Sequence, residues 1–266
     1  MQTENAMVSA LDGQNGDFRW TYLRGEGGGY TSLAYNGAAV VAVGNIGEFG
    51  QRRLELLALD PDTGEELWSA MPELAFTDVT ASGLVFVDGL IHVLVSEANG
   101  FGNVDLLRVE PPDDSAELLA TLVEFDEGLV PGDLERFGSA SLAALYSAGT
   151  RSYLAKVART DGNVDALLSF DDLDLADHVW ATKLAVTPNG LAAAGTAWDL
   201  ENDKKTFIAH FDEQLNLVCI GMFGKADQPD TYYPPELRDL AVTPEGELIT
   251  SSYAVTSRQA LFSRWQ

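Results

Sequence analysis

Ala58-Leu59-Asp60-Pro61-Asp62-Thr63-Gly64-Glu65-Glu66-Leu67-Trp68 has a twin earlier in the chain, Ala10-Leu11-Asp12-Gly13-Gln14-Asn15-Gly16-Asp17-Phe18-Arg19-Trp20. The two share Ala, Leu, Asp, Gly and Trp at the same offsets, and Gly64 follows Gly16 by 48 residues. Weaker copies continue at Arg108 to Leu119, at Ala158 to Leu168 with Asp161-Gly162, and at His210 to Val218, where Asp212 stays and the glycine is lost. Each copy reads as a strand that ends at Asp, whose short side chain can bond the turn backbone. Gly then supplies positive φ before the chain reverses. The Trp beyond is a large flat side chain suited to the gap between neighbouring sheets.

A second ladder of hairpins lies between the first. Asn36-Gly37, Asp88-Gly89, Asn189-Gly190 and Glu245-Gly246 each precede a short apolar stretch, with Phe137-Gly138-Ser139 a poorer member. Two hairpins per period of about 50 residues give four strands per repeat, and short strands with turn signals at even spacing mark propeller blades. Helical periodicity is nearly absent; Asp171 to Val179 is the best helical stretch and is short and acidic.

The repeat resembles a known family. Ala58, Asp60, Thr63, Gly64 and Trp68, with Ala10, Asp12, Gly16 and Trp20, match the tryptophan-docking repeat of the PQQ-like propellers. Leu184 to Gly190 and Leu240 to Gly246 look like the repeats of secreted and lipoprotein bacterial β-propellers. The resemblance implies an all-β propeller of about five four-stranded blades, with Asp12, Gly16, Trp20, Asp60, Gly64 and Trp68 as its anchors. It also implies an extracytoplasmic (periplasmic, secreted or surface lipoprotein) location, although residues 1–20 show no signal-peptide pattern. It implies no catalytic motif: the quinoprotein enzymes use larger rings and a vicinal cysteine pair, and Cys219 stands alone. A single domain over 1–266 is expected, its half-blade at 7–23 completed by strands within 237–265. The alternative is a fragment of a six- to eight-bladed propeller. The two ends supply one strand more than a blade needs.

Charge narrows the function. Asp and Glu number 41 against 16 Lys and Arg, a formal net charge of −25. That field repels phosphate backbones and anionic lipid, so neither nucleic acid nor a membrane is an expected partner. No apolar run reaches the length of a membrane span. The expected partner of a monomeric chain is a protein, peptide or glycan.

Candidate contacts lie in loops. His178 follows Asp171, Asp172, Asp174 and Asp177, an acidic group able to meet a cation or ligand. Trp198-Asp199 and Tyr232-Tyr233 offer aromatic and acidic contacts for a sugar or peptide. No cofactor is expected. Ca²⁺ is the one metal the acids suggest, and the oxygens around Asp199 lack the spacing and glycine of a calcium loop. The three histidines have no metal-ligand spacing. Cys219, in an apolar stretch, reads as inert packing. No catalytic residue is assigned, and the fitting reading is a non-catalytic binding module. The rival is a glycan lyase or hydrolase using a carboxylate pair in the axial funnel, for which sequence offers no means to choose two acids.

Overall fold

The computed structural model describes residues 5–74, 78–97, 102–112, 115–125, 129–198, 204–223, 236–254 and 259–265. Within them the chain forms antiparallel sheets whose strands pair in sequence order. The first sheet runs β1 (Asn5–Leu11), β2 (Phe18–Tyr35), β3 (Val40–Ile46), β4 (Arg53–Leu59) and β5 (Glu66–Ala70). The second is β6 (Val79–Val87), β7 (Leu90–Glu97), β8 (Gly102–Val109) and β9 (Ala116–Phe125). The third is β10 (Leu129–Phe137), β11 (Ser141–Ala148), β12 (Arg151–Ala158) and β13 (Val164–Ser169). The fourth is β14 (His178–Thr187), β15 (Gly190–Trp198), β16 (Lys204–Phe211) and β17 (Leu217–Phe223), and the last is β18 (Glu236–Val242), β19 (Leu248–Ala254) and β20 (Gln259–Trp265). These are the blades expected from the two glycine ladders.

β2 is the departure from expectation. Its first half pairs with β1 up to Asn5↔Gly27, and its second half pairs with β3 from Gly28↔Ile46 onward. The glycine-rich stretch Gly25 to Gly29 is strand throughout. A side chain at Gly28 would strike the Asn45 carbonyl, so glycine lets one strand serve a two-stranded hairpin and the four-stranded blade after it.

The chain divides into two compact units, Met1–Pro131 and Gly132–Gln266. In the first, β1 and β2 lay Val8 and Trp20 on Ala42, Leu57 and Leu59, while Val41, Val43, Leu54 and Leu56 pack on Val79, Ala81, Ile91 and Val93. In the second, Leu145 and Leu154 pack with Phe170, Val179, Phe207 and Phe211, and Ala192, Ala194 and Ile208 meet Leu237, Leu240 and Leu248. Within each unit, core therefore forms between consecutive sheets, as stacked blades require. Polar side chains rivet the same joints. Asn45 Oδ1 accepts the Ala81 amide at 2.7 Å, Ser96 Oγ donates to the Leu129 carbonyl, and Ser152 Oγ donates to Val179 O and accepts from Ala181 N.

In three of the turns the Asp side chain holds the turn backbone. Asp12 Oδ1 accepts the amides of Gln14 and Asn15, Asp60 Oδ1 those of Asp62 and Thr63, and Asp212 Oδ1 those of Gln214 and Asn216. These bonds hold the Asp12 and Asp60 carboxyls below their ordinary range; for Asp212 the largest lowering comes from the Asn216 side chain. Gly64 has φ of 73°, and in the copy without glycine a buried residue, Leu215, takes φ of 63°. Trp20 is buried against Gly64 and donates Nε1–H to the Pro61 carbonyl at 3.0 Å, so the ring of one repeat docks on the turn of the next. Trp68 is half-buried beside the core of the first two blades.

Candidate functional site

The first strands of the blades carry a third ladder, which the turn-based reading did not reach. Gly83-Leu84, Asp133-Leu134, Lys183-Leu184 and Asp239-Leu240 stand about one period apart on β6, β10, β14 and β18, and all four leucines are buried. The backbone is irregular just there. Register shifts fall between Ser82 and Leu84, between Ala181 and Lys183, and between Leu237 and Asp239. An extra residue in one strand re-aims the side chain next to it. Three of these positions belong to residues 132–266, and they bear charge.

Asp133 is the best held of them. Its Oδ1 accepts the Leu134 amide and its Oδ2 the Leu184 amide of the next blade, both at 3.0 Å. Asp239 repeats half of the pattern, with Oδ1 accepting the Leu240 amide at 2.9 Å. Burial raises the Asp133 carboxyl, while Lys183 and the two amides pull it down and Asp239 pushes it up. Glu135 lies two residues along β10, on the same face as Asp133 by the period of a strand. Burial, and then the charges of Asp133 and Asp239, push its carboxyl up to about 8. The arrangement sets an amide-held carboxyl, itself raised by burial, beside a second carboxyl pushed up to about 8, with one lysine among three acids.

This has a measurable consequence. A carboxyl whose folded-state value lies above its unfolded one stabilises the protonated fold, and that stability is lost as pH rises from the ordinary carboxyl range through about 8. Urea unfolding of the parent chain is expected to lose about 1 to 3 kcal/mol between pH 5 and pH 8.5 from this group. In Glu135→Gln that part of the slope should vanish. Equal slopes in the two proteins would show that Glu135 titrates as an ordinary surface acid.

The loop candidates fare differently. His178 and Trp198 are cross-strand partners at the open end of β14 and β15, their rings 5.4 Å apart and tilted by 39°. Asp174 closes the 3-10 turn Phe170–Leu173 with φ of 51° and is exposed, as is Asp177. Asp199, Tyr232 and Tyr233 lie outside the described residues. Among the described residues no three His, Cys, Asp or Glu side chains are placed to hold a metal ion. Cys219 is exposed, not packed inside: β17 is the outer strand of its blade, and the thiol stands across from His210.

Comparison with known proteins bears on the fold. No family model matches the chain, and no curated protein matches it in sequence. Solved structures do match in shape. A luciferin-regenerating enzyme aligns over 95% of this chain and 78% of its own, with TM-score 0.57 and 10% identity. The Dos1 propeller aligns over 98% and 65%, with TM-score 0.58 and 12% identity. An oligogalacturonate lyase in complex with manganese aligns over 90% and 65%, with TM-score 0.53 and 13% identity. Together with the sheets described above, these likenesses establish the chain as an all-β protein of the β-propeller fold.

Proposed function

We propose that the chain is a recognition module of the PQQ-like repeat type, extracytoplasmic and monomeric, that binds a protein, peptide or glycan. Part of that ligand is taken against the acid-lined first strands of residues 132–266. The observation that carries the reading is Asp133, whose carboxyl is held by amides of two blades and feels the charges of Lys183 and Asp239. In propellers the first strands surround the central channel, where ligands are met by groups from several blades. The docking of Trp20 on Gly64 supports the repeat type; the compartment rests on the family resemblance alone.

Glycan and peptide arrays probed with the parent chain and with Asp133→Asn/Asp239→Asn test it. A ligand retained by the parent and lost by the double variant is the expected result; a ligand held equally by both places recognition elsewhere.

A second reading has its own support. Glu135, protonated at neutral pH beside Asp133 and Asp239, is a fitting general acid for a glycan hydrolase or lyase. Reducing ends or unsaturated products released from a panel of polysaccharides, and lost in Glu135→Gln, would replace recognition with catalysis.

A further inference from the structure

The turn between β3 and β4 holds one aromatic ring out to solvent. Phe49 is 84% exposed, and everything around it is fixed. Asp78, itself buried, accepts the Gly50 amide at 3.0 Å, the Arg52 amide at 3.1 Å, and both Nε and Nη2 of the Arg52 guanidinium. Gly47 N donates to the Gly27 carbonyl, Gln51 N to Glu48 O, and Val79 N to Arg52 O. The Arg52 guanidinium lies 4.9 Å from the centre of the Phe49 ring and is neutralised by Asp78.

A single exposed hydrophobic residue on a surface is ordinary. A ring braced on a loop that a buried carboxylate ties at four points is different, because the ordering cost of binding is already met. The surroundings are acidic. Glu48, next to Phe49 in the chain, is exposed as well. The whole chain carries −25.

We infer that the Phe49 loop is an interaction surface for a basic protein segment, one Lys or Arg of which seats on the free face of the Phe49 ring next to Glu48. The ring's negative face attracts the cation, and Glu48 with the acidic chain as a whole supplies the counter-charge. This surface does not depend on the acid-lined strands of residues 132–266, and its variants leave those strands untouched.

Fluorescence anisotropy of a labelled tetra-arginine peptide against the full chain, near physiological salt, tests it. Phe49→Ala should bind about three- to fivefold more weakly, since an exposed cation–π contact is worth a factor of that order. Phe49→Trp should bind at least as well as the parent, and Glu48→Gln about twofold more weakly. Circular dichroism should be unchanged in all three, because the ring buries little. Equal binding by Phe49→Ala and the parent would show that general acidity alone holds the peptide and would overturn the inference, as would no binding by the parent. Loss of neutral oligosaccharide binding in Phe49→Ala, with arginine binding unchanged, would also overturn it by making the ring a sugar platform.

Discussion

Trp20→Ala is expected to destabilise the chain by about 3 to 5 kcal/mol, the range of large buried aromatic truncations. The indole is buried, its Nε1–H is bonded to Pro61 O, and its ring covers Gly64. Gly64→Ala approaches the same contact from the other side: a Cβ there would stand 2.6 Å from Trp20 Cδ2, at φ of 73°. The two changes should not add. Once Trp20 is gone, Gly64→Ala should cost only the left-handed backbone penalty of about 1 kcal/mol. Denaturant unfolding followed by circular dichroism reads all four corners of the cycle. Additive effects, or a loss below about 1 kcal/mol for Trp20→Ala, would show that the ring does not anchor the repeat. Trp68, half-buried, is expected to cost less when truncated, about 1 to 3 kcal/mol.

Arg24→Gln should be nearly as damaging, and its damage should depend on pH. Glu55 is fully buried on β4, ion-paired to Arg24 at 2.8 Å, and accepts the Tyr30 hydroxyl at 2.7 Å. Burial raises the Glu55 carboxyl above its ordinary value, while Tyr30 and Arg24 hold it down. Removing the guanidinium leaves a buried charge without its counter-ion, a loss of about 2 to 4 kcal/mol at neutral pH. The carboxyl then rises further. A carboxyl raised in the folded state favours folding most when protonated, so the variant should sit nearest the parent at about pH 4 to 5 and fall away as pH climbs. Urea midpoints of both proteins at acid, neutral and mildly alkaline pH give the answer. A deficit that does not change with pH would mean that Arg24 contributes packing and not charge.

Much of this architecture is written in turns. The residues that set the blades are Asp, Gly and Trp at fixed offsets, and their chemistry is local: Asp60 bonds the amides two and three residues on, and Gly64 takes the backbone angle the turn needs. Such signals survive in a one-dimensional string. The acid-bearing ladder does not, because Gly83, Asp133, Lys183 and Asp239 mix three residue types. What they share is the buried leucine that follows, and their charges meet only when β10, β14 and β18 are set side by side. A search for leucines about 50 residues apart on first strands would have found them. Cys219 shows the same limit in reverse: an apolar neighbourhood in sequence says nothing of which face of an outer strand a side chain occupies.

The polar rivets between sheets have a consequence for how such a chain can grow. Asn45, Ser96 and Ser152 each reach backbone groups of the following sheet, and backbone groups are the same whatever residues that sheet carries. A gene segment duplicated in whole periods therefore delivers a copy that can be fastened at once, before any side chain has adapted to its new neighbour. Divergence can then act on the first strands and loops without loosening the joints, which leaves copies alike in their turns and unlike in the charges they present.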